Sequence, residues 1–279
     1  MKTKNTGPIY VLIAAVLWSF AGVMIRYIPW NPFSIGSVRG AAACLAIGLY
    51  RRSWRVTLNK QTIFAAVCVM ATSFLFMAAN QLTTAANAIV LQYTAPAYVI
   101  VMTLIKGGER PRALDLITVA LTFAGITLFF FDQLDAGALL GNLLSLLSGV
   151  TFACVFFMNS LPEVDPFETS FLGLGMSALF LPVLFFDQAV LTSGMTPVAL
   201  MLIMGVFQLG LAYIMFSKGI KKTGAVTASI ISTLEPVLNP VWVFLAVGER
   251  PGMLAIVGAV VVIGAITGYN LKVSSVREA

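Results

Sequence analysis

The 279-residue sequence contains no histidine, and only 10% of its residues are charged. Without histidine the chain cannot build a His-based proton relay, a Ser-His triad or a His-ligated zinc site. A soluble domain carries about 25% charged residues, so this chain has too few polar side chains to cover a water-facing globule. Soluble enzymes, nucleic-acid-binding proteins and secreted disulfide scaffolds are therefore excluded as classes.

Cysteine is scarce as well. Cys44, Cys68 and Cys154 all lie inside apolar runs, where a thiol behaves as a small hydrophobic side chain. These positions predict neither a disulfide framework nor a metal cluster, and the sequence indicates no cofactor. No Walker phosphate-binding loop occurs, which fits an absence of ATP chemistry.

The sequence is rich in long runs of apolar residues. Its residues are 59% hydrophobic and its mean hydropathy is +0.95, so the natural solvent of most of the chain is a bilayer. A membrane helix needs about 17–25 mostly apolar residues, and ten such runs lie between breaks at charges, prolines and glycines. The runs span approximately residues 8–28, 32–50, 61–80, 84–105, 112–131, 137–158, 166–186, 196–217, 223–245 and 252–271. The sequence therefore predicts an all-α membrane protein with ten transmembrane helices and no soluble domain.

The lysines and arginines predict the orientation of these helices. With both termini in the cytoplasm, 14 of the 17 basic residues lie in inside segments, Arg26 and Arg250 lie outside, and Arg39 lies within a span. One inside segment, 163–168, departs from this pattern because it has three acidic residues and no basic one. The asymmetry explains the net charge of +6 without a nucleic acid or an acidic partner. We expect a multi-pass protein of a cell inner membrane with cytoplasmic termini.

The sequence also contains an internal repeat. Residues 83–111 align without gaps to residues 223–251, with nine identical pairs in 29 positions and a shared Gly-Glu-Arg-Pro. The chain is thus expected to form two five-helix halves, 1–134 and 135–279. Because five is odd, the halves enter the membrane in opposite directions. Inverted repeats are typical of alternating-access transporters, whose substrate site lies near the midplane where the halves meet.

Matched prolines point to the position of such a site. Pro96 and Pro236 occupy equivalent places in the repeat, in the middle of the fourth and ninth runs. Each removes a backbone donor and frees the carbonyl four residues earlier, and Pro240 is expected to repeat the break in the second half. Helix interruptions at corresponding positions indicate a transporter's binding site. The alternative interpretation is a pair of proline kinks that serve packing alone.

These residues resemble the drug/metabolite transporter superfamily, in its EamA-type branch. The resemblance covers essentially the whole chain and rests on the two Gly-Glu-Arg-Pro halves, on Trp18 and Arg39, and on segments 86–96 and 234–237. It implies a ten-helix exporter or importer of small organic metabolites such as amino acids, which is not an enzyme and uses no ATP. Trp18 becomes a candidate site residue through this resemblance.

Glu235 is the only acidic residue well inside a predicted span. A charged and unpaired carboxylate at that depth costs at least a few kcal/mol, which makes Glu235 a functional candidate. Asn239 and Trp242 follow on the same helix face. We expect Glu235 to carry a coupling proton, or to be the counter-charge of an amino or quaternary ammonium group with Trp242 adding cation–π attraction. The structural alternative is a protonated carboxyl bonded to a neighbouring backbone carbonyl.

Arg39 lies about seven residues into the second run and keeps its charge. It is expected to bind a substrate carboxylate, to pair with Glu235 in one state, or to anchor carbonyls at the broken helices. The resemblance favours the structural or gating role. The remaining candidates are amides and phenols beside the breaks or within other runs, which suit either a zwitterion site or simple interhelical hydrogen bonding. They are Gln92, Tyr93, Tyr98, Asn80, Gln208 and Tyr213.

Together these features predict a secondary transporter of a small amino-acid-like or cationic metabolite, coupled to protons. Export is favoured over uptake through the resemblance alone, so an uptake permease is the first alternative. A membrane-embedded enzyme and a channel are the others, but the chain lacks the motifs of intramembrane proteases and has one buried carboxylate rather than rings of charge. The expected partners are the substrate, protons and the bilayer, and a homodimer is left open.

Overall fold

The computed structural model describes residues 6–25, 27–83, 85–107, 110–129, 131, 139–247 and 252–278. In these ranges the regular elements are helices, and no strand occurs. The α-helices are α1 (Gly7–Ser19), α2 (Ala21–Ile25), α3 (Pro32–Arg51), α4 (Lys60–Leu82), α5 (Ala85–Gln92), α6 (Ala95–Ile105), α7 (Ala113–Phe129), α8 (Leu139–Ser160), α9 (Pro166–Ser177), α10 (Gln188–Thr192), α11 (Met195–Ile203), α12 (Ala212–Thr223), α13 (Ala225–Ser232), α14 (Glu235–Val247) and α15 (Met253–Glu278). A 3-10 segment, Ala178–Phe186, continues α9, and a π-helical segment, Met204–Leu211, joins α11 to α12.

The helices coincide with the runs read from the sequence. Within the described residues, seven helical segments are long and apolar enough to cross a membrane, and Gly7–Ser19 and Ala113–Phe129 are shorter apolar helices. The long segments are Pro32–Arg51, Lys60–Leu82, Asn87–Ile105, Leu139–Ser160, Pro166–Phe186, Met195–Thr223 and Met253–Lys272. The prediction of an all-α membrane protein is confirmed, and the count of ten spans stays a prediction.

Local chemistry fixes where several of these helices begin. The side-chain oxygens of Asn31, Asn59 and Asp165 accept hydrogen bonds from first-turn backbone N–H groups of α3, α4 and α9. Such caps satisfy donors that a helix start would otherwise leave unpaired. Proline follows at the first turn of α3 and α9, where its missing N–H is harmless.

One end of the bundle, here called the basic end, is closed by contacts between loops. Arg51 at the end of α3 pairs with Glu168 at the start of α9, with 3.2 Å between Nη2 and Oε1. The second carboxylate oxygen of Glu168 accepts a hydrogen bond of 2.9 Å from the Thr57 backbone N–H. Lys221 donates to the carbonyl of Pro162 at 3.2 Å. The acidic segment 163–168, which departed from the charge pattern, therefore has a basic partner at the end of α3.

Loop contacts also join the opposite end of α3. The Trp30 indole N–H donates to Ser193 Oγ at 2.7 Å, and the Asn31 backbone N–H donates to a carboxylate oxygen of Asp187 at 2.7 Å. Burial by itself raises the pKa of Asp187, but interactions with the Ser34 hydroxyl and with backbone N–H groups outweigh burial and lower it. The loops that the charge pattern assigns to one side thus contact each other. Which end faces the cytoplasm stays a prediction.

Candidate functional site

Two helices are interrupted at matching positions. α5 ends at Gln92 and α6 begins at Ala95, while α13 ends at Ser232 and α14 begins at Glu235. The offset is 140 residues at both boundaries, the same as in the sequence repeat. The proline in the second position of each following helix explains the break, since it offers no N–H to the preceding turn.

The interruption near Pro96 lies against α8. A Cβ on Gly149 of α8 would come within 2.9 Å of the Gln92 carbonyl oxygen and within 3.2 Å of that of Leu91. Only glycine allows so close an approach, because any larger side chain would collide with these two carbonyls, and that of Gln92 is the one that Pro96 leaves without its helical donor. The amide of Gln92 donates to Ser148 Oγ at 2.7 Å, which ties the break to α8 a second time.

Glu235, the first residue of α14, lies at the second interruption and faces three side chains from other elements. Its carboxylate interacts electrostatically with Arg39 of α3, with Tyr93 at the α5–α6 break and with Tyr213 of α12. These three side chains are buried, each 7% exposed or less, while Glu235 is half-buried. We call Glu235, Arg39, Tyr93 and Tyr213 the central cluster.

The polar side chains of the central cluster do not all find hydrogen-bond or ion-pair partners within the cluster. Arg39 and Glu235 form no ion pair within 4.0 Å in the described part of the chain. Arg39 Nε and Tyr93 Oη are buried with no hydrogen-bond partner within 3.5 Å, although the Tyr93 phenol lies close enough to Glu235 to interact with its carboxyl group. A buried polar group left unpaired costs about 1–3 kcal/mol. Groups of this kind around a carboxylate and a guanidinium are what a polar ligand site presents.

A π-helical segment brings α12 to the cluster. At Gly205 a Cβ would lie 2.9 Å from the Arg39 carbonyl oxygen, so this segment passes α3 at very close range. Three residues on, the Gln208 amide donates to the carbonyl of Trp18 at 3.0 Å, and its Oε1 is buried without a partner. π-helical segments are rare and occur often at functional sites. Here the segment places Gln208 and Tyr213 beside α1 and α3.

Four aromatic rings, three of them in contact with Tyr93 or Tyr213 of the central cluster, lie on the side of the basic end. Trp18 packs against Tyr213, Phe216 and Phe152, with ring centroids 5.3, 5.7 and 6.2 Å apart. Tyr93 lies 6.2 Å from Phe152, and Phe156 contacts both Phe152 and Phe216, at 4.8 and 5.5 Å. Phe216 and Phe156 each lie about one turn nearer the basic end than Tyr213 and Phe152 on α12 and α8. We call Trp18, Phe152, Phe156 and Phe216 the aromatic layer.

Trp242 has a defined partner. Its indole N–H donates to Ser19 Oγ at 2.8 Å, and its ring stacks on Phe20 with centroids 4.5 Å apart. One face of the indole is therefore covered by the chain itself. Asn239 is half-buried between Glu235 and Trp242 on α14, as the helical spacing requires.

The remaining sequence candidates lie outside the central cluster. Gln92 bonds to α8, and the amide of Asn80 donates to the Phe76 carbonyl of its own helix at 2.9 Å. Tyr98 is half-buried and packs against the core of the bundle. The break expected at Pro240 is absent, because α14 runs through that position to Val247. At this position the missing N–H of proline does not interrupt the helix.

Sequence reasoning missed several residues of the site. Ser19, Phe152 and Phe216 carry no pattern that separates them from ordinary core positions, and the π-helical segment has no sequence signature of its own. The glycines at 205 and 210 are the one usable signal, since both lie where α3 approaches closely. In the described residues no group of three or more Cys, Asp or Glu side chains could hold a metal ion.

An apolar helical bundle with broken helices around a buried polar cluster is the architecture of a membrane transporter. The chain belongs to the EamA-like transporter family, whose family model matches residues 5–131 and 139–271. The protein is therefore a multi-pass membrane transporter.

Known proteins of similar sequence and fold agree with this assignment. The chain is 25% identical over 271 residues to an uncharacterized transporter of Archaeoglobus fulgidus, covering 95% of this chain and 96% of that protein. It is 27% identical over 261 residues to the uncharacterized transporter YwfM of Bacillus subtilis, covering 88% and 87%. A solved crystal structure matches with a TM-score of 0.84 and 16% identity, over 96% of this chain and 98% of that one. At that identity the structural likeness concerns the fold alone.

Proposed function

We propose that this protein is a secondary active transporter of small zwitterionic or cationic metabolites, coupled to protons, with its substrate site at the central cluster. The observation that carries the proposal is the convergence of one carboxylate, one guanidinium and two phenols at a matched pair of broken helices. Export is favoured over uptake, with both termini in the cytoplasm and an inner-membrane location. An uptake permease for the same substrates is the second candidate.

The charges in the cluster favour a zwitterion over a simple cation. Glu235 suits an amino group, and Arg39 suits a carboxylate, which it binds with two parallel N–H donors. A simple cation would leave Arg39 buried without a counter-ion. Tyr93 and Tyr213 supply hydroxyl groups that donate or accept as the ligand requires. An amino-acid-like molecule therefore uses more of the cluster than a quaternary amine does.

Alternating access requires that the cluster open to each side in turn. The matched helix interruptions and the two stretches of the family match support a division into halves, 1–134 and 135–279, that move against each other. In the described conformation the aromatic layer lies between the cluster and the basic end, and the Arg51–Glu168 contact lies at that end. Transport then requires Trp18, Phe152 and Phe216 to separate.

The test is a thermal-shift screen of the purified protein against amino acids, polyamines and quaternary amines. A ligand at about 100 times its dissociation constant stabilises a protein by about 2.7 kcal/mol. We expect zwitterions to shift the wild type and to lose their effect in Glu235→Gln. The control Glu163→Gln removes the same charge from an exposed position outside the cluster and should keep the shift. If both variants respond like the wild type, Glu235 does not bind the substrate.

Proteoliposomes then separate substrate binding from proton coupling. The wild type should accumulate the identified substrate when a pH gradient is imposed, and Arg39→Lys should bind it more weakly because a lysine cannot form the two parallel bonds. Flux that is equal with and without the gradient would contradict proton coupling. Flux that never saturates with substrate would favour a channel.

A further inference from the structure

A polar cavity of about 210 Å³ lies away from the central cluster, near the basic end. It is formed where the connector before α7 meets the start of α13 and the side of α15. Its position at the basic end follows from Gly224, which comes three residues after Lys221 in the chain. The volume is large enough for several water molecules or for one phosphate group.

Two unpaired guanidinium groups line this cavity. Arg110 and Arg112 flank Pro111, and neither guanidinium has a hydrogen bond or an ion pair in the described part of the chain. Arg110 belongs to the first Gly-Glu-Arg-Pro motif. The proposed transport through the central cluster does not use this motif. Both side chains are exposed and reach the water at this end of the bundle.

The start of α13 adds hydrogen-bond donors to the same wall. Gly224, which has φ 86°, precedes α13 and no side chain caps the helix. The first hydrogen bond of α13 runs from the Ala228 N–H to the Gly224 carbonyl. The N–H groups of Ala225, Val226 and Thr227, all in the cavity lining, therefore have no acceptor in the helix. Free N–H groups at a helix start attract anions.

The one carboxylate in the lining is already engaged. Asp115 accepts a hydrogen bond of 2.7 Å from the Arg112 backbone N–H and one of 2.6 Å from the Tyr269 hydroxyl. Tyr269 in turn contacts the Thr227 hydroxyl at 3.1 Å, so the three helices α7, α13 and α15 hold a fixed wall. Both oxygens of Asp115 are occupied by protein donors, which argues against a bound cation.

We propose that this cavity is a phosphate-binding site formed by Arg110, Arg112 and the free N–H groups at the start of α13. Guanidinium groups bind phosphate oxygens in pairs, and the helix start adds further donors and a favourable dipole. The apolar side chains of Ile100 and Val226 line the same cavity. The phosphate belongs either to an anionic phospholipid of the facing leaflet or to a small soluble phosphate compound, since basic pockets of this kind bind lipid headgroups.

The experiment compares two double variants of the full-length protein in detergent. Arg110→Gln/Arg112→Gln removes the two cavity charges, and Arg52→Gln/Arg55→Gln removes two exposed charges near the basic end outside the cavity. Each protein is titrated with dioleoylphosphatidylglycerol, with dioleoylglycerol, which lacks the phosphate, and with inorganic phosphate. Bound lipid is counted by native mass spectrometry and phosphate binding is measured by calorimetry.

We expect the cavity variant to bind the phosphate-bearing ligand at least tenfold more weakly, and the control to stay within about twofold of the wild type. Binding of phosphatidylglycerol alone identifies a lipid headgroup as the source, and competition by inorganic phosphate identifies a soluble one. The proposal is overturned if both double variants lose the same amount of ligand binding. It is also overturned if the wild type binds dioleoylglycerol as tightly as dioleoylphosphatidylglycerol. Arg110→Lys/Arg112→Lys keeps the two charges and should retain most of the binding. This second double variant provides the test if the glutamine variant does not fold.

Discussion

The Arg51–Glu168 contact is expected to hold the basic end closed, and Glu168→Gln tests this. Glu168 accepts two hydrogen bonds, one from the Arg51 guanidinium and one from the Thr57 N–H. Only 11% and 15% of the two charged side chains are exposed, so water screens the pair weakly. Hydrogen bonds to charged groups contribute about 1.5–3 kcal/mol, and we take about 1.5 kcal/mol because glutamine still accepts one of the two.

If the variant destabilises the closed state by about 1.5 kcal/mol relative to the open state, the population of the open state rises about tenfold. Ser217 reports this opening, because it is 6% exposed, has no partner for its hydroxyl in the described residues, and follows Phe216 of the aromatic layer. We expect Ser217→Cys to react about ten times faster with a membrane-impermeant maleimide when Glu168→Gln is present. The reporter is built in a background that lacks Cys44, Cys68 and Cys154.

The matched control is Glu163→Gln, which removes the same charge from an exposed position in the same loop. A double-mutant cycle with Arg51→Gln, read by thermal unfolding, should show a coupling energy of about 1 kcal/mol or more between positions 51 and 168. If Glu168→Gln and Glu163→Gln label alike and the cycle shows no coupling, the contact does not hold the basic end closed.

Two further predictions concern packing and pH. Gly149→Ala should lower the free energy of unfolding by about 1–3 kcal/mol, seen as a lower unfolding temperature, because the added methyl group meets the Gln92 carbonyl. Gly194→Ala is the control: a Cβ at Gly194 has nothing within 4 Å, so the unfolding temperature should not change. The lowered pKa of Asp187 implies stability that is present above the unfolded pKa of about 3.9 and is lost as pH falls through the folded value. Asp187→Asn should therefore flatten the dependence of the unfolding temperature on pH below about 4, and an unchanged slope would contradict the assigned contact with Asn31.

The positions of the helices were predictable because they follow from solvent and backbone constraints. A helix in a bilayer must satisfy its own hydrogen bonds, so the apolar runs had to be helical. Proline removes a donor wherever it occurs, which is why the breaks before Pro96 and Pro236 were foreseen from the sequence. Pro240 shows the limit of that rule, because α14 passes through it. Whether one missing bond ends a helix depends on the packing around it.

The contacts of the site were less predictable, because they join residues that are far apart in the chain. Glu235 stood out through the cost of burying a carboxylate, and Arg39 through its place in an apolar run. Tyr213 lies in α12, directly after the π-helical segment Met204–Leu211, and no sequence pattern marks that segment. The bond from Trp242 to Ser19 spans 223 residues and leaves no periodic pattern in the sequence.

The two interruptions share a backbone but differ in their side chains, and this difference bears on transport. At the offset of 140, Glu235 corresponds to Ala95 and Thr233 corresponds to Tyr93, so each half supplies a different group to the central cluster. The carboxylate comes from the second half, whereas the guanidinium of Arg39 and the phenol of Tyr93 come from the first. In the proposed transport cycle, a substrate held by both charges would bridge the proposed halves, 1–134 and 135–279. Its binding would stabilise the arrangement in which these halves meet around it, and its release would require that they separate on one side.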